Sequence, residues 1–289
     1  MTVSDQIHRV GVVGAGLMGS GIAEVNAKAG LDVTVSEVSQ PALDAGKSRI
    51  EKSLHRAVRS GKLTEADAEV AVGKLTFTTS LDDFADRDIV IEAVVEDEQT
   101  KLDVFRTLDK VVDREDAILA SNTSSIPIMK LGMATGRPTQ VVGIHFFNPV
   151  PVLPLVELVP SLLTGEDTVE RSRAFVTDVL SKTVIRSQDR AGFIVNALLV
   201  PYLLSAIRMF ESGFASAEDI DRGMELGTAH PMGPLRLSDL IGLDTIKSIT
   251  ESMYEEFKEP LYSAPPLLLR MVDAGLLGKK TGRGFYDYR

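Results

Sequence analysis

The stretch VGVVGAGLMGSGIAE, residues 10–24, decides the fold. An apolar run leads through glycines spaced as Gly14-x-Gly16-x-x-Gly19 into a helical pattern. In a strand–turn–helix unit the first glycine allows the tight turn, and the second lets the backbone approach a pyrophosphate. The third lets the helix pack on the strand, and the helix N-terminus offers N–H groups and a positive dipole to phosphate. The alternative reading is a tight turn without a ligand.

The residues that follow favour a dinucleotide. A second strand pattern, DVTVSE, ends in Glu37, eighteen residues after Gly19. A carboxylate there can accept both hydroxyls of an adenosine ribose and would repel a 2′-phosphate, so we expect NAD rather than NADP. We also assign Leu17 and Met18, inside the glycine turn, to the cofactor site.

Strand and helix patterns alternate over residues 1–187. The strand patterns are short runs rich in valine and isoleucine: RVGVVGAG, DVTVSE, DIVIEAV, AILASNTS, VVGIHFF and TVIRS. This alternation predicts an α/β domain with a doubly wound, Rossmann-type, mostly parallel sheet. Residues 188–289 carry only helical patterns, one with Ser216 as its N-cap and one with a kink or break at Pro201. We therefore expect a second, all-helical domain.

Composition narrows the class of protein. The net charge is −10 over 289 residues, which argues against general binding to nucleic acid or to anionic membranes. The absence of cysteine excludes disulfides and thiolate chemistry. No apolar run reaches the roughly 20 residues of a membrane span, and MTVSDQIHRV at the N-terminus lacks the apolar core of a signal peptide. We expect a cytoplasmic protein.

The stretch HFFNPVPVLPLVEL, residues 145–158, places His145 and Glu157 twelve positions apart. Fully extended, twelve residues span about 40 Å, so the two side chains can meet only if the chain reverses. The run NPVP at 148–151 has the composition of such a turn. A carboxylate among apolar neighbours is costly unless paired, and His145 is a natural partner for Glu157. Such a pair forms a general base that needs no metal. Alternatively, His145 is structural and Glu157 pairs with a lysine.

Several motifs in order resemble the L-3-hydroxyacyl-CoA dehydrogenase family, most closely its single-function bacterial members. They cover nearly the whole chain: GAGLMGSGIAE, IEAVVED, ASNTSSI, HFFNPVPVLPLVEL, GFIVNALLVPYL, HPMGPLRLSDLIGLDT and LGKKTGRGFYDY. The resemblance implies an NAD-dependent enzyme that interconverts an L-3-hydroxyacyl-CoA, with a short acyl chain, and the 3-oxoacyl-CoA. It also implies a homodimer formed through the helical domain, which would close over the active site.

The resemblance assigns roles to individual residues. It implies a catalytic histidine with an orienting glutamate, and two donors to the reacting oxygen and the thioester carbonyl: His145, Glu157, Ser124 and Asn196. Beside the glycines and Glu37, it places these residues near the cofactor: Glu96, Lys101, Ser124, Asn148 and Lys280, with Lys279 as the alternative to Lys280. For the substrate it implies Ser53, together with Ser124 and Asn196.

A basic helix face is the candidate site for the CoA moiety. The segment 41–64 has a helical pattern whose basic residues lie at spacings of three and four: Arg49, Lys52, Arg56 and Arg59. Beside an active site, this face could hold the phosphates of coenzyme A, and we assign Arg56 and Arg59 to that role. The alternative is a solvated face with ion pairs to nearby acids.

Two other functions are compatible with the fold. The first is a dehydrogenase that acts on a free hydroxy acid or sugar acid and needs no CoA site. The second is a non-catalytic dinucleotide-binding protein, against which the presence of all four catalytic candidates argues.

Overall fold

The computed structural model describes residues 7–289. Within it the chain divides into two compact units, the first ending at Asp189 and the second running from Arg190 to Arg289. The division lies two residues beyond the boundary that we expect at 187. The N-terminal segment expected to lack a signal peptide falls largely in residues 1–6, outside the described range.

The first unit is built on one sheet of eight strands: β1 (Arg9–Val13), β2 (Asp32–Ser36), β3 (Leu75–Thr78), β4 (Ile89–Glu92), β5 (Ile118–Ser121), β6 (Val141–Phe146), β7 (Leu155–Pro160) and β8 (Thr183–Arg186). Their order is β3-β2-β1-β4-β5-β6-β7-β8. All neighbours are parallel except β6 and β7, which are antiparallel. The expected Rossmann-type α/β class is confirmed. The chain reversal between β6 and β7 contains a cis Asn148–Pro149 bond.

The central strands are mostly apolar because helices cover both faces of a parallel sheet. β4 and β5 are buried at every position, and so is β6. β3 was not expected from the sequence. It is a four-residue edge strand, half-buried for most of its length, and its LTFT sequence carries little of the apolar signal that marks the central strands.

The helices of this unit are α1 (Leu17–Lys28), α2 (Gln40–Arg59), α3 (Glu65–Gly73), α4 (Glu98–Val111), α5 (Ile128–Met133) and α6 (Glu166–Ala174). Side-chain oxygens cap two of them. Thr64 accepts a hydrogen bond from the Asp67 N–H at the start of α3, and Asp97 accepts one from the Thr100 N–H at the start of α4. These caps fix where the two helices begin after their loops.

The second unit is helical, as expected: α7 (Val195–Glu211), α8 (Ala217–Gly227), α9 (Pro234–Ile241), α10 (Leu243–Phe257) and α11 (Pro266–Asp273). Ser216 caps α8 by accepting from the Asp219 N–H. Of the kink or break expected at Pro201, the break does not occur, because α7 continues through this residue. Among residues 7–289, no helix is long and apolar enough to cross a membrane.

The C-terminal segment is held on α9 by one carboxylate. The two oxygens of Asp239 accept hydrogen bonds from the Phe285 and Tyr286 N–H groups, each at 2.9 Å. The Tyr288 hydroxyl donates to the same side chain at 3.1 Å. Asp239 is buried, and burial raises its pKa despite these three donors. One side chain therefore accepts hydrogen bonds from two backbone donors of the C-terminal segment.

We expect Asp239→Asn to lower the free energy of unfolding by about 1–3 kcal/mol, because an amide nitrogen would face a backbone N–H that needs an acceptor. Urea unfolding followed by circular dichroism measures the change. Asp273→Asn, which alters an exposed carboxylate of the same unit, is the matched control and should be neutral. Equal urea midpoints for the two variants would contradict this account of Asp239.

Candidate active site

The glycine turn after β1 leaves an open approach to the start of α1. Gly14 has a φ of +97°, and a Cβ on Gly19 would collide with the carbonyl oxygen of Gly14. Both glycines are therefore required by the fold itself. A Cβ on Gly16, by contrast, would meet no atom within 4 Å. Gly16 is the N-cap of α1 and supplies no side-chain hydrogen bond, so the first N–H groups of the helix remain available for a phosphate. Leu17 is exposed and Met18 half-buried at this helix start.

A cavity of about 480 Å³ lies beside the glycine turn. Its walls are mostly apolar and come from the ends of β1 and β2 and from the loop after β4. Glu37 sits at the end of β2, where one carboxylate oxygen accepts from the Ala15 N–H at 2.8 Å and the other from the Val38 N–H at 3.0 Å. An apolar cavity with a fixed carboxylate beside a free helix N-terminus fits the adenosine part of a dinucleotide.

His145 and Glu157 face each other across the antiparallel pair β6–β7. They are direct partners in the strand register, and the Nδ1 atom of His145 lies 2.7 Å from the Oε2 atom of Glu157. Glu157 is fully buried and His145 is 6% exposed. The ring of Phe147 packs edge-on against the imidazole at 4.6 Å between centroids. The reversal at 148–151 thus brings together the two side chains that we expect to form the dyad.

Ser124 lies in the turn after β5, against the carboxylate of Glu96. One oxygen of Glu96 accepts from the Ser124 N–H at 2.9 Å and from its hydroxyl at 3.3 Å. The Nζ atom of Lys101 lies 3.2 Å from the other oxygen. Burial alone would raise the pKa of Glu96, but Lys101 and the hydrogen bonds from Thr123 and Ser124 outweigh it and hold the pKa below its usual value. Glu96 is therefore a charged acceptor next to Ser124.

Sequence reasoning missed Glu92, the last residue of β4. It is fully buried and its Oε1 atom lies 2.6 Å from the Nζ atom of Lys101, which is 1% exposed. The Ser121 hydroxyl donates to its other oxygen at 2.6 Å. The sequence does hold a signal for it: Glu92 ends an otherwise apolar strand pattern, and a carboxylate that is buried there needs a partner. Lys101, the nearest lysine after it, is that partner.

A second cavity, of about 430 Å³, lies between α1, α2 and the reversal at 148–151. Asn148 lies in its lining, and so does Ser53, which is expected at the substrate. The basic face of α2 lines it as well: Arg49, Lys52, Arg56 and Arg59. Within residues 7–289, none of these four basic side chains forms a salt bridge, contrary to the reading as a solvated face with ion pairs. At the cavity wall, burial raises the pKa of Glu24, partly offset by Ser53, Lys28 and Arg56.

Asn196 and Lys280 belong to the second unit. Asn196 is buried in the first turn of α7. Lys280 is exposed and its Nζ atom lies 2.6 Å from both carboxylate oxygens of Asp244. Their expected roles at the substrate and the cofactor stay predictions.

Comparison with known proteins identifies the family. A family profile described as "3-hydroxyacyl-CoA dehydrogenase, NAD binding domain" matches residues 9–190, and one described as "3-hydroxyacyl-CoA dehydrogenase, C-terminal domain" matches residues 192–288. A 3-hydroxybutyryl-CoA dehydrogenase of Mycobacterium tuberculosis is 64% identical over 286 residues, which are 99% of this chain and 100% of that protein.

Two crystal structures share the fold over their whole length. M. tuberculosis FadB2 superposes with a TM-score of 0.97 at 64% identity, covering 98% of this chain and 99% of that chain. The (S)-3-hydroxybutyryl-CoA dehydrogenase PaaH1 from Ralstonia eutropha gives a TM-score of 0.92 at 44% identity, covering 98% and 100%. The cofactor of this protein is NAD. The chain belongs to the 3-hydroxyacyl-CoA dehydrogenase family.

Proposed function

We propose that this protein interconverts an L-3-hydroxyacyl-CoA and the 3-oxoacyl-CoA, with a short acyl chain such as that of 3-hydroxybutyryl-CoA, in the cytoplasm. The observation that carries the proposal is the 2.7 Å contact between His145 Nδ1 and Glu157 Oε2. The name of the relative that is 64% identical supports the substrate class. A free hydroxy acid or sugar acid is the less favoured alternative, because it leaves the unpaired basic face of α2 without a ligand.

In the proposed reaction Glu157 accepts a hydrogen bond from the Nδ1–H of His145. This bond fixes the tautomer, so that Nε2 is free to take the proton of the substrate's 3-hydroxyl group, and it stabilises the imidazolium that forms. Bound NAD would supply the acceptor for the hydride that leaves the carbon bearing this hydroxyl group. The burial of the pair supports this role, because a carboxylate that is shielded from water holds the charged ring more strongly.

Ser124 and Asn196 are the proposed donors to the substrate. A hydroxyl and an amide that hydrogen-bond the reacting oxygen and the thioester carbonyl would stabilise the charge that develops during hydride transfer. The Ser124 hydroxyl lies 3.3 Å from Glu96, a long hydrogen bond that it can exchange for one to the substrate. The role of Asn196 rests on the family resemblance.

The cavity beside α2 is the proposed site for the phosphates of coenzyme A. A chain with a net charge of −10 must provide a local cationic surface for an anionic ligand. Arg56 and Arg59 line this cavity, and neither forms a salt bridge within residues 7–289. Ser53 lies on the same face and would donate to the ligand through its hydroxyl.

We expect His145→Ala to lower kcat for acetoacetyl-CoA reduction by about 10²–10⁴-fold, since the general acid–base group is lost. Glu157→Gln should lower kcat less, because the imidazole remains but its orientation and charge are no longer supported. NADH absorbance measures both rates, with NADPH as the alternative cofactor and free acetoacetate as the alternative substrate. His8→Ala, at an exposed histidine, is the matched control.

The outcomes separate the alternatives. Turnover of free acetoacetate but not of the CoA ester would favour the free-acid function. NADH binding without turnover of either compound would favour a non-catalytic protein. A preference for NADPH would overturn the role assigned to Glu37.

We expect Arg56→Gln/Arg59→Gln to raise KM for acetoacetyl-CoA about five- to tenfold and to leave kcat nearly unchanged, because both side chains would bind a distant part of the substrate equally in the ground and transition states. The control is Lys74→Gln/Lys110→Gln, which removes the same charge at exposed positions away from the cavity. An equal KM in both variants would leave the basic face as an ordinary solvated surface.

A homodimer is proposed through the second unit, which exposes large apolar side chains. Leu198 is 74% exposed and Phe214 is 78% exposed. Met209 follows Leu198 by eleven residues, or about three helical turns, and so lies on the same side of α7. Large exposed apolar side chains on α7, and on Phe214 three residues after its end, are typical of a surface that another protein covers.

We expect Leu198→Glu/Phe214→Glu to convert a dimeric protein into a monomer, because two charges would be buried at the contact. Light scattering coupled to size-exclusion chromatography measures the mass. Leu162→Glu, at a residue of the first unit that is 93% exposed, is the control and should stay dimeric. A monomeric wild type would contradict the proposal.

A further inference from the structure

The carboxyl end of β4 and helix α4 are joined by a buried ion pair that the reaction above does not use. Glu92 is 0% exposed and Lys101 is 1% exposed, with 2.6 Å between Oε1 and Nζ. Burying two charges costs several kcal/mol per ion before their attraction is counted, and apolar residues of similar volume are often equally stable there. Stability alone therefore does not account for this pair, and its further contacts point to what it does.

One arm of the network runs from Glu92 through Ser121. The Ser121 hydroxyl donates to Glu92 Oε2 at 2.6 Å and accepts from the Thr123 N–H at 3.1 Å. Glu92 Oε1 also accepts from the Val94 N–H at 2.7 Å, so both of its oxygens are engaged. This arm fixes the backbone of the turn immediately before Ser124.

The other arm runs through Lys101 and Glu96. Lys101 lies 3.2 Å from Glu96, and Glu96 accepts hydrogen bonds from the Thr123 hydroxyl at 2.5 Å and from the Ser124 N–H at 2.9 Å. The two arms start at the same carboxylate and meet again at residues 123–124. Three elements, β4, β5 and α4, are joined in one closed ring of side chains.

We propose that Glu92 is a positioning residue of the active site, which sets the place of Ser124 and of the Glu96 carboxylate through these two arms without touching substrate or cofactor. The inference rests on the proposed function, which gives Ser124 its part in the reaction. A carboxylate is required because the side chain must accept from an ammonium, a hydroxyl and a backbone N–H at once. With an amide in its place, Glu96 would be the only carboxylate left on Lys101 and would be drawn away from Ser124.

The test compares Glu92→Gln with Ser121→Ala, which breaks one arm without leaving a buried charge unpaired. Glu92→Gln should lower kcat with acetoacetyl-CoA by tenfold or more and leave KM for that substrate within about twofold, because a displaced donor weakens the transition state more than ground-state binding. The Kd of NADH, from a fluorescence titration, should rise several-fold. Ser121→Ala should lower kcat less. The fold-loss of kcat in the double variant should be smaller than the product of the two single fold-losses, because Ser121 lies in one of the two arms through which Glu92 acts.

The control is Asp109→Asn. Asp109 lies on the same helix as Lys101, about 12 Å further along it, and pairs with Arg137 at 3.0 Å. This variant should lose stability and keep kcat and the Kd of NADH. If Glu92→Gln does not fold, the kcat of Ser121→Ala tests the inference: a lowered kcat supports it and an unchanged kcat overturns it.

The inference is overturned if Glu92→Gln and Ser121→Ala both keep kcat and the Kd of NADH within twofold of a wild type that turns over acetoacetyl-CoA. A wild type without turnover means instead that the proposed function fails. In that case the NADH titration still decides: an unchanged Kd in Glu92→Gln overturns the inference, and a raised Kd supports it.

Discussion

The register of β6 against β7 is the constraint on which the candidate site depends. These are the only antiparallel neighbours of the described sheet, and their pairing sets His145 opposite Glu157. A slip of one residue would turn every side chain of β7 to the other face, and Glu157 would become a buried carboxylate without its histidine. The penalty for an unpaired buried charge therefore opposes the wrong register, so the contact that we propose for the chemistry also helps to specify the fold.

The rest of the first unit distributes acceptors and donors along the carboxyl edge of the parallel strands. Glu37 follows β2, Glu92 ends β4, and the turn that carries Ser124 follows β5. Donors for phosphate come from elsewhere, from the free N–H groups at the start of α1. A sheet whose strands run in one direction necessarily gathers these loops at one edge, which is why ligands bind there in open α/β folds.

Much of this arrangement could be predicted from the sequence, because it depends on local patterns. The glycine spacing and the apolar strands determine β1, α1 and β2, and turn residues at 148–151 indicate the reversal that brings His145 to Glu157. Of the two alternatives expected at Pro201, a kink or a break, the break was wrong. The proline costs roughly 3 kcal/mol in a helix interior, but α7 buries enough apolar side chains on both sides of it, Val200 and Leu203 among them, to continue.

What could not be predicted is the network around Glu92, because it joins three elements that are far apart in the sequence. The pattern DIVIEAVVED marks Glu92 as a carboxylate at the end of an apolar strand, but it does not show that Glu92 is fully buried while Glu96 keeps 29% of its side chain exposed. The difference in burial between Glu92 and Glu96 depends on where α4 places Lys101. It also depends on β5 lying next to β4 in the sheet.

The burial of Lys101 changes how its part in the site is understood. An ammonium that is 1% exposed and held by two carboxylates has almost no accessible surface to offer a phosphate. In this arrangement Lys101 acts on its surroundings through Glu96, whose pKa it lowers, so that Glu96 stays a charged acceptor. A charged acceptor suits the hydroxyl groups of a ribose and repels phosphate. In the proposed site, Glu96 and Glu37 would therefore both favour ribose hydroxyl groups over phosphate, and the phosphates of the dinucleotide would bind at the helix N-terminus between β1 and α1.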